Sequence, residues 1–501
     1  MTDPILLWNE VALEANRMSH TNGQGEQAGP PLSARALAII HLAMYDAFAG
    51  VAKDPKELPS YLSGLPDPGA GSTAEAAIAA AAHGTLSALF PSQRPVFDFV
   101  LSVAGAPGSA GHEFGAAVAK ALLADRATDP GVGSSTYVIK QTRGKHRPDP
   151  DNPAQGVQAP DYGRLSKGFA IAHRIELAAP PFDDADYRAA LRQVRAKGIR
   201  PDLMGTLPAG SSPRTPGETL LGVYWAYDGA SQLGTPPRLY NQIIRLVACK
   251  QKNSVADNAR LFAFVNAAMA DAGILAWDQK YIHELWRPVV GVREHDSSIG
   301  PGTTRAGNQI DPDCDPFWLP LGAPNSNKIG KNATPNFPAY PSGHATFGAA
   351  AFHVTRLFYG QGGTIEKGDL GPDKLFDGLS FMSEELNGTT TDNTGAARAR
   401  HSRDFPNGLW QMIEENGFSR VALGVHWIFD AFAMKGDKHD IPRKDKDGKH
   451  TGGVPLGLLI AEDIFRFGGG RAPKRSTVGP RPQPPAPTAG RTATFQSNYL
   501  H

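Results

Sequence analysis

Cysteine is nearly absent from this chain: Cys249 and Cys314 are the only two in 501 residues. A disulfide framework and a cysteine-rich metal site are both excluded, and two free thiols are expected. An excess of charge of one sign is missing as well. The 50 Lys and Arg are balanced by 49 Asp and Glu, a formal net charge of +1. No global field draws the protein to nucleic acid or an anionic membrane, so neither is an expected partner. The N-terminal MTDPILLWNE has no basic segment followed by an apolar core, so no secretory signal is read there. Localisation stays open between the cytoplasm and export by another route. The most apolar run, Ala74 to Phe90, carries Glu75, His83 and many alanines. It reads as a packed helix rather than a bilayer span, and the protein is expected to be soluble.

Strand-like alternation is scarce, and helical periodicity fills its place. Ser33 is positioned to cap a helix whose apolar face is Leu37, Ile40, Met44, Ala47 and Phe48. Leu220, Val223, Tyr224 and Tyr227 repeat the pattern, as do Leu261, Val265, Ala268, Met269 and Ala272. An all-α protein built from bundles is expected. Long Gly- and Pro-rich loops separate the helices. Residues 141–163 read as an ordered surface loop, and 292–339 as a segment wrapping a site entrance. Residues 443–449 (RKDKDGK) read as a solvated loop, and the Pro-rich stretch from Arg471 as a flexible tail or an arm on the surface.

Three short stretches carry anion-directed chemistry: KYIHELWRP from Lys280, PSGH from Pro341 and SRVALGVHWIFD from Ser419. Lys280 and Arg287 are seven residues apart, which on a helix places them on nearly one face, with Pro288 ending or kinking it. Such a pair alone is usually a solvated face. Ser342 sits at an N-cap position, so the amides of Gly343 and His344 face any bound anion at the positive end of a helix dipole. The bland alternative is an ordinary capped helix start. His426 and Asp430 stand at i and i+4, so the carboxylate can fix the imidazole tautomer. Taken alone, that pair reads best as a buried core histidine. Arg420 and His426 are six apart, badly phased for one straight helix, and Gly424 offers a break. Together, three cations at ~4 Å from one oxyanion each contribute about 4 kcal/mol at an effective dielectric near 20. Without an anion they repel one another comparably.

These motifs, K-x6-RP, then PSGH, then SR-x5-H-x3-D, closely resemble those of the vanadium-dependent haloperoxidases, and more distantly the type-2 phosphatidic acid phosphatases. WAYDG from Trp225, GTPPRLYNQI from Gly234, FPAYPSGHATFG from Phe337 and SEELNG from Ser383 resemble the chloroperoxidase branch. LLWNEVALEANR near the N-terminus and PPLSARALAIIHLAMYDAF from Pro30 extend the likeness, which covers most of residues 5–465. It implies a mainly helical fold with two four-helix bundles and long loops, the second bundle holding the cofactor. The corresponding division is an N-terminal helical bundle region at 1–215, a site-bearing bundle at 216–470 and a Pro-rich tail at 471–501.

The resemblance also implies roles. His426 is then the ligand that binds vanadium through a ring nitrogen. Lys280, Arg287, Ser342, Gly343 and Arg420 hold the oxygens of vanadate(V), and His344 is the acid/base that deprotonates peroxide. Asp228 pairs with Arg420, Asp430 supports His426, and Trp277 and Phe337 form the halide side. The implied substrates are hydrogen peroxide, a halide (chloride or bromide) and a small organic acceptor, with no assembly state implied beyond a homo-oligomer being compatible. The rival reading is a phosphatase of the same superfamily in which His426 attacks phosphorus and His344 protonates the leaving oxygen. A non-catalytic oxyanion-binding protein is a third, against which the two histidines speak. Residues 292–336 and 389–403 depart most from the pattern. The acidic turn Asp311-Pro-Asp313-Cys-Asp315 reads as solvated rather than cation-binding.

Overall fold

The computed structural model describes residues 3–131, 135 and 137–481. Within them α-helix is the dominant regular structure, joined by long loops. Its strands are two-residue segments: Ser380–Phe381 pairs antiparallel with Arg403–Asp404, and Met434–Lys435 with Lys438–His439. Several helices start where a side chain offers a cap. Thr73, Ser109, Ser254 and Ser342 each accept a first-turn amide on the side chain, and Ser254 forms a reciprocal capping box with Asp257. Ser33 departs from expectation. The helix Pro30–Ala52 begins earlier, after Gly29, with prolines in its first turn. Ser33 is instead buried inside it, accepting from Asn16 Nδ2 and donating to the Gln27 carbonyl. Two consecutive prolines supply the favoured start, since neither needs an amide partner there.

Helices Pro30–Ala52, Ala74–Leu89 and Ala110–Asp125 pack on one another in the N-terminal half. In the C-terminal half, Gly343–Phe358 packs against Pro236–Lys250, Gly408–Ala422 and Gly453–Phe467. The 29-residue helix Val255–His283 lies against both groups. This explains its nearly uniform apolarity, because a helix covered all round has no solvent face to make polar. It and Pro30–Ala52 are long and apolar enough to cross a membrane by composition, yet 94% and 78% of those windows are buried in the protein. Both cysteines are free, Cys249 exposed and Cys314 buried.

Gly343–Phe358 and Gly453–Phe467 pack closely. A Cβ at Gly457 would stand 2.4 Å from the Thr346 carbonyl oxygen, so only glycine permits this approach. It holds the start of the PSGH helix against the bundle. The C-terminal stretch 471–481 lies on the surface as an arm. Val478 accepts from the Gly168 amide, and Arg481 pairs with Asp278 and Glu176, each at 3.0 Å. The rest of the Pro-rich tail, residues 482–501, lies outside the described residues.

Candidate active site

The first anion-directed stretch is not one helix. Val255–His283 ends just after Lys280, and Glu284 takes a left-handed turn with φ 54°. The chain then pairs with the 144–146 loop, Trp286 N donating to the Gly144 carbonyl and His146 N to that of Glu284. Arg287 becomes the residue before a second helix, Pro288–Arg293. Pro288 therefore opens a helix rather than ending one, which suits its missing N–H. Arg287 nevertheless turns inward. Its Nε donates to the Phe337 carbonyl at 2.8 Å, and its Nη1 to the Val425 carbonyl at 2.7 Å and to His426 Nε2 at 3.0 Å.

Lys280 is fully buried, and its Nζ donates to the carbonyls of Pro338, Ala339 and Pro341 at 2.9, 3.0 and 2.5 Å. All three ammonium hydrogens are thus committed to the loop that enters PSGH. Burial first, then the neighbouring Arg287, pulls the Lys280 amine well below its ordinary value. Ser342 caps Gly343–Phe358 as expected, and its own amide donates to the Asp430 carbonyl at 2.8 Å, tying the second stretch to the third.

Arg420 lies in the last turn of Gly408–Ala422. Gly424 then breaks the chain at φ +74°, where a Cβ would come 2.5 Å from the Gly198 carbonyl oxygen. His426 follows on the irregular segment, so its pairing with Asp430 is made by a tight turn and not a helix face. His426 Nδ1 donates to Asp430 Oδ2 at 2.7 Å, and that oxygen also accepts from Trp427 N at 3.0 Å. With Nδ1 as donor, the Nε2 lone pair is left facing the pocket. Burial, then Arg287 and Lys280, hold the His426 ring well below its ordinary value, so it is neutral. Burial pushes the Asp430 carboxyl up to about 7 against the pull of Lys280 and Arg287.

Arg420 forms a two-pronged pair with Asp228, Nη2 to Oδ1 at 2.7 Å and Nη1 to Oδ2 at 3.0 Å. His344 Nε2 stands 3.8 Å from the same Oδ1 and donates to the Ala226 carbonyl at 2.6 Å. A carbonyl only accepts, so Nε2 carries the proton and the Nδ1 lone pair is the basic one. Burial, then Arg420, lowers the His344 pKa to about 4. Trp277 and Phe337 pack with centroids 4.9 Å apart and their planes inclined by 47°, and the Lys280 ammonium lies 5.1 Å from the Phe337 ring centre.

Every site residue read from the sequence therefore falls in one buried region. Two donors there have no protein partner, Arg287 Nη2 and Arg420 Nε, and the Trp277 indole N–H is a third. Buried unpaired cationic N–H groups are costly, and an oxyanion is the ligand whose lone pairs they lack. The set of donors and the neutral imidazole lone pair fit a tetrahedral oxoanion.

Other features had no sequence signal. The carbonyls that bind Lys280 and His344 look like any other backbone. His146 comes from the loop read as surface, yet it is buried with neither ring nitrogen partnered. Burial, then Arg287 and Lys280, press its pKa to about 3. The acidic turn is ion-paired, not merely solvated. Arg188 and Arg192 pair with Asp311 and Asp313 at 3.1 and 2.9 Å, and Arg195 stands 3.7 Å from Asp315. His295 approaches Asp311, but a cation there would face those guanidiniums.

Comparison with known proteins points one way. Residues 1–161 match the vanadium chloroperoxidase N-terminal domain, and residues 260–436 match the VCPO second helical-bundle domain. The chain is 36% identical to the vanadium chloroperoxidase of Curvularia inaequalis, over 96% of this chain and 92% of that protein. Its fold resembles the crystal structure of a bacterial vanadium-dependent iodoperoxidase, with TM-score 0.57 and 18% identity, covering 91% of this chain and 95% of that one. It also resembles a bacterial vanadium-dependent chloroperoxidase in its apo form, with TM-score 0.57 and 15% identity, covering 88% and 94%.

Proposed function

Since this chain belongs to the vanadium chloroperoxidase family and is a vanadium-dependent haloperoxidase, we propose how its own residues divide the work. Arg287, Arg420, the Ser342 hydroxyl and the Gly343 amide would hold the oxygens of vanadate and His426 Nε2 the vanadium, with Lys280, its ammonium hydrogens taken up by the loop that enters PSGH, adding charge beside them. When bound, vanadate supplies a Lewis-acid centre that activates hydrogen peroxide toward halide. The net reaction, hydrogen peroxide plus halide plus a proton giving hypohalous acid and water, leaves the halogen ready for an organic acceptor. Chloride and bromide are the proposed halides.

His344 takes the peroxide proton on Nδ1 while the Ala226 carbonyl keeps its other nitrogen protonated. Asp228 holds Arg420 in register. Lys280 contributes fixed charge and braces the PSGH loop through the Pro341 carbonyl. The Trp277 and Phe337 rings form the apolar wall where halide approaches. The observation that carries this reading is the pair of buried guanidinium donors, Arg287 Nη2 and Arg420 Nε, that flank a neutral His426 without protein partners.

The phosphatase alternative is not favoured, because the likeness to a vanadium chloroperoxidase runs through 96% of the chain. The test is metal analysis of protein dialysed against orthovanadate, with peroxide-dependent chlorination and bromination measured beside aryl-phosphate hydrolysis. Stoichiometric vanadium with halogenation that requires it is expected. Phosphate turnover with no vanadium-dependent halogenation would overturn the assignment.

A further inference from the structure

His344 and Arg420 both lean on one short stretch, Tyr224–Asp228. Ala226 offers the carbonyl to His344, and Asp228 offers the carboxylate to Arg420. That stretch follows the end of helix Pro216–Tyr224 and includes Tyr227 at φ 45°, a conformation its own sequence does not favour. Something must hold it, and segment 383–385 does. Ser383 Oγ donates to the Tyr224 carbonyl at 2.7 Å, and Glu384 N donates to the Tyr227 hydroxyl at 2.9 Å. Glu385, with no exposed surface, accepts the Tyr227 amide on Oε1 at 3.2 Å.

The other Glu385 oxygen faces the two loops that depart most from the family pattern. Oε2 accepts from Ser326 Oγ at 2.6 Å and Arg398 Nη1 at 2.5 Å, and Arg398 also donates to Ser326 at 2.9 Å. The same loops are stitched further out, where Thr391 N donates to Asn327 Oδ1 and Gly330 N to the Asn393 carbonyl. Glu384 is separately held by Arg238. A single buried carboxylate thus joins two loops to the turn beneath the proposed base.

We infer that Glu385 is a positioning residue: it fixes the Tyr224–Asp228 turn, and through it the acceptor of His344 and the anchor of Arg420. It touches neither substrate nor cofactor. The inference rests on the proposed role of His344.

Two double variants isolate the bond that matters. Glu385→Gln with Arg398→Met keeps an acceptor for the Tyr227 amide, and Glu385→Leu with Arg398→Met removes it; both discard the charge pair, so neither buries a lone ion. In the vanadate-free full chain, hydrogen exchange of the peptide spanning 224–229 is expected to be faster in the Leu variant than in the Gln variant. At saturating orthovanadate, with vanadium content measured, the Leu variant is expected to lose about 10–100-fold in kcat/KM for peroxide per bound vanadium relative to the Gln variant. Equal kcat/KM in the two variants overturns the inference. Should the Leu variant not fold, Glu385→Asp keeps the charge opposite Arg398 but draws the carboxylate back from Tyr227, and the same comparison is made with wild type. His344→Ala in the same assay separates the two levels. A fully active His344→Ala removes the base assignment and the inference with it. An inactive one beside equal Leu and Gln variants removes Glu385 alone.

Discussion

Arg287 Nη1 stands 3.0 Å from His426 Nε2, so a guanidinium meets an imidazole lone pair inside the pocket. The contact exists because Asp430 accepts the hydrogen bond of the opposite ring nitrogen and so keeps the proton on Nδ1. A histidine held this way is neutral and offers its lone pair inward, as a metal ligand must. The same geometry makes Arg287 adaptable, since its Nη2 has no other partner.

His426→Ala is therefore expected to lose tight vanadate binding and halogenation together, measured by equilibrium dialysis and a bromination assay. Asp430→Ala keeps the ligand but frees its tautomer, and is expected to weaken vanadate binding by about 10–100-fold. A His426→Ala protein that still binds vanadate tightly removes the ligand assignment.

His344→Ala should behave differently, sparing vanadate binding while lowering turnover by about 10²–10⁴-fold. The pH profile carries the sign. The His344 pKa is lowered to about 4 by burial and then by Arg420, so its basic form persists down to that pH in the vanadate-free protein. Activity attributable to the base is lost as pH falls, and a bound oxyanion, being negative, moves that acid limb upward. The profile of kcat/KM for peroxide checks this, and His344→Ala should lack the limb.

Asp228→Ala leaves the buried Arg420 guanidinium without its two-pronged partner. The expected cost is about 3–5 kcal/mol of stability. Vanadate replaces part of the missing negative charge, so added orthovanadate should raise the melting temperature more in this variant than in wild type. Equal shifts in the two proteins would contradict the pairing.

Acid stability has a separate reporter far from the pocket. His41 is fully buried, with Nδ1 donating to the Leu37 carbonyl at 2.7 Å and Nε2 accepting from Asn9 Nδ2 at 2.8 Å. Burial lowers its pKa from 6.5 to about 4. Between those values the unfolded chain binds the proton and the folded one does not. Stability from this group is therefore complete above pH 6.5 and is lost as pH falls toward 4, by about 3 kcal/mol in all. His41→Gln should flatten the fall of the unfolding midpoint across that window.

Much of the site was legible because its chemistry is carried by side chains at short spacings. Ser342 before Gly343 reads as a cap, and it caps. His426 and Asp430 pair as their spacing suggested, though on a tight turn rather than a helix. The packed helix at Ala74–Leu89 and the free cysteines followed from composition alone. Where the reading failed, a distant segment intervened. Lys280 and Arg287 do not share a helix, because Glu284 turns left-handed and the chain pairs with Gly144 and His146 instead. Ser33 lost its capping role to two prolines earlier in the same helix.

The sequence by itself determined which donors, bases and cations this protein owns, since those are properties of residue types in a fixed order. Only the tertiary structure decided their partners: three carbonyls around Lys280, the Ala226 oxygen under His344, and Glu385 behind Tyr227. The reason is physical. Every residue carries the same carbonyl, and all but proline the same amide, so which one reaches a buried charge is fixed by how helices and loops far apart in the chain pack together.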